Sequence, residues 1–234
     1  MAADESLDNR EGRIRRGGRI LLILLPGLLV PSCWAVFHFG ARFLGPAAGY
    51  LAGFAFYWLI WCLGVPLALL GRRGLIGLFA EERPLFSRAN ALPAALLVST
   101  SLVTLVLYTL PALGTADWGL FLVHVPLTVF NGVLEEVLWR GLYLRAFPDN
   151  CWFGVLYPAL GFAAWHLAPQ AVHPSPLGVL VFAALTLPLG LVYGWAAKRS
   201  GSIRWPAASH ALNGVLVLGD PLARGLLNLL KGWS

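Results

Sequence analysis

Glu135 and Glu136 are adjacent carboxylates inside an apolar stretch, Asn131-Gly-Val-Leu-Glu135-Glu136-Val-Leu-Trp-Arg140-Gly-Leu-Tyr-Leu-Arg145. Ionisable groups inside apolar spans are costly and mark functional positions. A carboxylate kept from bulk water can serve as a general base. Glu135 lies ten residues before Arg145, which is about 15 Å along a helix. That is near mid-membrane, beyond snorkelling reach of an interface. Neighbouring helical side chains diverge by about 100°, so the two carboxylates are expected to do separate jobs. Glu136 precedes Arg140 by four residues, the favourable order for an ion pair. Glu135 has no local cation. His124, Thr128, Asn131 and Glu135 follow one another at spacings of four, three and four. That stripe must face the bundle interior or a water-filled cavity, with His124 and Thr128 read as interhelical polar glue.

Two further apolar segments carry histidines. One contains Phe162-Ala-Ala-Trp-His166, with Gln170 a turn later. The other contains Ser209-His210-Ala-Leu-Asn213-Gly214. A lone histidine in a helix is commonly a packed core residue, whereas this is a constellation on three segments. Measured from the basic ends, His166 is about 21 Å deep, Glu135 about 15 Å and His210 about 9 Å, so the three can meet in one half of a bundle. His38 and His173 lie near a span end and in a Pro-rich loop and read as incidental.

The elements that must position these groups follow from composition. The chain has 234 residues, 58% hydrophobic and 12% charged, where a soluble domain carries about 25% charged residues. Such a chain cannot hide its apolar surface as a soluble globule, and it is not disordered. Its apolar runs are continuous rather than alternating, against a β-barrel. The fold class is all-α, a polytopic transmembrane bundle of about 7–8 spans. The predicted spans are 20–39, 46–70, 91–113, 118–146, 152–168, 177–197 and 204–219, with 221–233 an interfacial helix or a short eighth span. Residues 1–19 read as a basic cytoplasmic tail and 20–234 as one membrane domain, whose motif-bearing core is about 118–219. Lys and Arg concentrate in the tail, in 71–90, at Arg145 and at 198–204, with Arg42 opposite. This predicts an inside N-terminus and no nucleic-acid role. The 71–90 segment is expected to hold an interfacial helix and a turn. Gly45, Gly49 and Gly53, and Gly190 with Gly194, are small-residue ladders for close helix packing. Cys33, Cys62 and Cys151 suggest no disulfide framework.

The order Glu135-Glu136-x-x-x-Arg140, Phe162-x-x-x-His166, then His210 followed by Asn213 resembles the CPBP intramembrane protease family, which includes the type II CAAX prenyl endopeptidases. The resemblance covers about 130–220. It implies a helical bundle with a cavity open to the cytoplasmic leaflet, and peptide-bond hydrolysis. It assigns water activation to Glu135 and His166, oxyanion stabilisation to His210 and Asn213, and structural support to Glu136, Arg140 and Phe162. The family's third motif usually carries Asn four residues after His. Here position 214 is Gly, and Asn213 on the same face is the substitute.

The residue types suit this chemistry. His can position water and donate to a leaving amine, and side-chain donors at an oxyanion are each worth about 3–4 kcal/mol. Glu135, His166 and His210 are also a possible metal set, of a kind that binds zinc with one open position, so a metal stays open at this stage. The HExxH signature is absent, and no Ser or Cys pairs with a His and a third orienting group, which disfavours a covalent nucleophile. The competing readings are a non-catalytic family member with an immunity or scaffold role, and a proton-coupled transporter using Glu135 and the histidines as a relay. No internal repeat supports the transporter. Expected partners are membrane lipid and a membrane-anchored protein or peptide substrate. The expected location is the cell (inner) membrane.

Overall fold

A computed structural model describes residues 14–231. Of the basic tail, 1–13 lie outside the described residues. The described chain is a bundle of eight helices without strands. They are α1 (Arg16–Leu44), α2 (Pro46–Gly77), α3 (Arg88–Thr115), α4 (Trp118–Ala146), α5 (152–165), α6 (Val179–Ser200), α7 (Arg204–Leu216) and α8 (Pro221–Lys231). α1, α2, α3, α4 and α6 are long and apolar enough to cross a membrane. The 13 residues of α7 span about 20 Å, short of a hydrocarbon core of about 30 Å. α5 ends at Trp165 rather than 168, so His166 caps it. α6 is shifted to 179–200 between Gly178 and Gly201, the latter left-handed at φ 73° as its C-terminal stop.

The glycine ladders act through contact. A Cβ at Gly49 would lie 2.1 Å from the Ala41 nitrogen, and one at Gly190 3.1 Å from the Ala159 Cβ. Gly45, the first member of its ladder, is the α1–α2 turn, at φ 85° and followed by Pro46. The 71–90 segment continues α2 to Gly77 across a break at Gly71. It is then tied to the α6–α7 turn, where the Ile203 N–H donates to Leu78 O at 2.9 Å.

The largest core cluster surrounds Trp139 and Trp165, both essentially buried. Several of its polar tips are satisfied within the bundle, as lipid-embedded groups require. The Trp139 indole N–H donates to Tyr57 Oη at 2.8 Å, and Tyr143 Oη donates to Leu22 O at 2.8 Å. Tyr157 Oη donates to Ile23 O.

At one end of the bundle, Arg145 Nη2 donates to Gly77 O, Lys198 Nζ to Pro148 O and Arg199 Nη2 to Ala89 O. The basic loops therefore share one end. At the other end α8 packs on α2, with Gly225 beside Ala47. This corrects the expectation that Arg42 is alone there, because Arg224 and Lys231 join it.

Candidate functional site

α4 supplies Asn131, Glu135, Glu136 and Arg140. A wide π-helical stretch, Val137–Leu142, begins directly after Glu136. A second, Tyr57–Gly64, lies in α2 and includes Tyr57 and Trp58, which reach the Glu135 cluster. Such widened turns are frequent at functional sites.

α7 comes against α4 at Gly132, where a Cβ would sit 2.9 Å from the Ala211 nitrogen and 3.2 Å from the His210 carbonyl carbon. This approach sets His210 between the two carboxylates. Its Nδ1–H donates to Glu136 Oε1 at 2.8 Å, and Nε2 is 3.4 Å from Glu135 Oε2. One imidazole thus spans the angular divergence of the two carboxylates and links them, while their other partners differ.

Glu136 is fully buried. Its Oε1 also accepts from Arg140 Nη1 at 2.8 Å. The Arg140 guanidinium lies 4.3 Å from the Phe162 ring centre and 5.4 Å from that of Tyr193. Two aromatic faces and a carboxylate thus compensate a cation in an apolar interior.

Glu135 is 2% exposed and held by two neutral donors. Oε1 accepts from Trp165 Nε1 at 2.9 Å and Oε2 from Asn131 Nδ2 at 3.1 Å. Asn131 Oδ1 accepts from Trp58 Nε1 at 2.8 Å, which fixes the amide orientation. Trp165 stacks on Tyr57 with ring centres 3.5 Å apart.

His166 Nδ1 is 2.8 Å from Phe162 O. A carbonyl only accepts, so Nδ1 carries the proton and the neutral ring keeps its lone pair on Nε2. The ring centre of Phe162 is 4.6 Å from His166 and 5.9 Å from His210, edge-on to each. Phe162 therefore packs against both histidine rings.

Asn213 is not brought to Glu135. Its Nδ2 donates to Thr100 Oγ1 at 3.0 Å and Tyr193 Oη at 2.6 Å. It touches the cluster only through Tyr193, whose ring lies 5.4 Å from that of His210. At position 214 a Cβ would lie 1.9 Å from Thr128 Oγ1, so a side chain there requires that hydroxyl to move. His124 is a joint between helices, 2.8 Å from Gly214 O and 3.2 Å from Asp220 Oδ2.

Residues 117–216 match the family model described as type II CAAX prenyl endopeptidase, Rce1-like. Over this segment the chain is similar to the Rce1-like family. It contains α4 through α7, and so every residue of the cluster except Tyr57, Trp58 and Thr100. No curated protein and no solved structure matches the chain. That family is of protease type, and the five long apolar helices mark the chain as a membrane protein.

Among the described residues no group of three His, Cys, Asp or Glu is arranged to hold a metal ion. Glu135, His166 and His210 are thus not gathered into a ligand set, and no step below passes through a metal. Trp165 and Tyr193 were not singled out from sequence. Trp165 precedes His166 and had a signal in that adjacency, whereas Tyr193 had none.

Proposed function

We propose that the chain is an intramembrane endopeptidase that hydrolyses a peptide bond in a membrane-anchored protein or peptide. The observation carrying this reading is the buried Glu135 carboxylate, held by Trp165 and Asn131 within 3.4 Å of His210 Nε2. Neutral indole and amide donors orient a carboxylate without neutralising it, which suits a base and not merely a structural anion.

In this reading water is held between Glu135 and His166, with His166 Nε2 accepting one of its hydrogens. Glu135 takes a proton as the oxygen attacks the scissile carbonyl. The negative charge then develops on the carbonyl oxygen, and His210, its Nδ1–H kept on Glu136, stabilises it from Nε2 once that nitrogen carries a proton. Collapse breaks the C–N bond, and the abstracted proton passes to the leaving amine. Glu136 and Arg140 position His210, with Phe162 packed against Arg140. Asn213 positions it through Tyr193 rather than facing the carbonyl. An orientation with the basic end on the cytoplasmic side of the cell membrane would present the site to substrates from that leaflet.

The test is cleavage in the host membrane, read as C-terminal fragments in cells carrying wild-type or Glu135→Gln protein at equal level. The glutamine keeps the volume and the hydrogen-bonding neighbours but cannot accept the proton. Fragments lost in Glu135→Gln are the expected result. Identical fragment profiles would overturn the protease reading and favour a non-catalytic member.

A further inference from the structure

A second feature lies on the lipid side of α7, away from the Glu135 cluster. α3 and α7 diverge there around an apolar groove of about 450 Å³. Its walls include Phe86, Leu97, Leu102, Trp205, Leu212 and Leu216. Phe86, Leu102 and Leu212 are about half exposed. From Trp205 to Leu216 is eleven residues, or about 16 Å of helix. Half of a hydrocarbon core of about 30 Å is about 15 Å. The groove is therefore one leaflet deep, and it opens at the basic end of the bundle.

The mouth is cationic. Phe86 meets Trp205 edge-on at 4.9 Å, and the Arg204 guanidinium lies 5.0 Å from the Trp205 ring centre. Arg88 is two residues from Phe86. Both arginines are exposed, and among the described residues neither makes a hydrogen bond or an ion pair through its side chain. At the same end, by contrast, Arg83 donates to Lys198 O, and Arg199 to Asn90 Oδ1 and Ala89 O.

We propose that this groove seats one acyl chain of an anionic phospholipid, with the headgroup phosphate held by Arg88 and Arg204. Guanidinium groups pair readily with phosphate oxygens. An uncharged lipid chain would fill the groove and leave both cations unanswered. A free phosphate would answer the cations and leave the groove empty. Only a charged lipid of the same leaflet matches both the depth and the mouth. Ser209 forms part of the groove's inner wall, its hydroxyl 3.1 Å from Thr100 Oγ1. A seated lipid therefore braces α7 on the face opposite the one carrying His210.

Trp205 provides the reporter. The full chain in neutral detergent is titrated with phosphatidylglycerol brominated on its acyl chains, and with phosphatidylcholine bearing the same chains. The Trp205 contribution to fluorescence quenching is the part that Trp205→Phe removes. The proposal expects this part to saturate, with phosphatidylcholine binding roughly 25-fold more weakly, at roughly fivefold for each arginine near the charged headgroup. Arg88→Gln with Arg204→Gln, both on the surface, should bring phosphatidylglycerol down to the phosphatidylcholine level. Neither glycerol phosphate nor S-farnesyl cysteine methyl ester should displace the brominated anionic lipid at equal concentration. Equal binding of the two lipids overturns the proposal, as does preference retained in the double variant. Quenching unchanged by Trp205→Phe places the lipid elsewhere, and displacement by the farnesyl ester makes the groove a seat for uncharged chains. Either outcome also overturns it.

Discussion

Glu135 and Glu136 are neighbours in sequence with opposite surroundings. Glu136 has a guanidinium and an imidazole on one oxygen, while Glu135 has an indole and an amide on its two. Substitution should separate these roles. Glu136→Gln leaves Arg140 buried without its carboxylate, and breaking a buried pair from one side costs about 3–5 kcal/mol. It should lower the thermal unfolding midpoint in detergent before any effect on chemistry is visible. Trp165→Phe keeps the stack on Tyr57 and removes one donor from Glu135. A hydrogen bond to a charged group is worth about 1.5–3 kcal/mol, so turnover of a cleaved substrate should fall by one to two orders of magnitude, with a smaller loss of unfolding midpoint than Glu136→Gln gives. Equal loss of midpoint in both variants would mean that Trp165 supports the fold rather than Glu135. The Glu136–Arg140 pair was legible because its spacing is local. The Trp165 contact was not, because it joins residues 30 apart and no periodicity encodes it.

At the scale of elements, the site exists because α4 and α7 touch closely at Gly132. That contact is between backbones, and it requires a glycine on α4 facing Ala211. Gly132→Ala places a carbon 2.9 Å from a main-chain nitrogen, and neither partner is a flexible side-chain tip. The helices must part, drawing His210 from Glu135. Misplacement of about 1 Å in a catalytic group can lower rate by about 10²-fold. The expected result is a loss of that order in cleavage, with far-UV helical content intact and overpacking costing about 1–3 kcal/mol. Activity at the wild-type level would show that the α4–α7 distance does not matter. Position 214 differs, because what crowds it is the Thr128 side chain, whose hydroxyl would have to rotate away before a larger residue could enter. Sequence revealed the missing Asn but not Thr128, since helix pairing decides which residue faces the gap. Asn213 likewise shares a helical face with His210 by spacing, yet its amide finds Thr100 and Tyr193 instead.

For the whole molecule, composition was a strong guide, because so few charges in so apolar a chain leave only a helical membrane bundle. The number of crossings was harder to read, since α5, α7 and α8 are apolar or amphipathic but too short to count by length alone. Tertiary packing, rather than hydropathy, decides where they lie. Charge asymmetry survives the structure. Among the described residues, eleven Lys and Arg lie at one end, from Arg15 through Arg204. Arg42, Arg224 and Lys231 lie at the other, and Arg140 lies between them. From the positive-inside rule, the basic end is predicted to face the cytoplasm. Native cysteines allow a direct check. Cys151 is exposed at the basic end, whereas Cys33 and Cys62 are buried and should stay silent. A membrane-impermeant maleimide should label Cys151 in inside-out vesicles and not in right-side-out ones. Thr115→Cys, at the far end of α3 and exposed, should show the opposite pattern in a Cys151→Ser background. Reversal of both patterns would put the basic end outside and remove the cytoplasmic leaflet as the source of substrate. Labelling of both sites from one side would contradict α3 as a crossing helix.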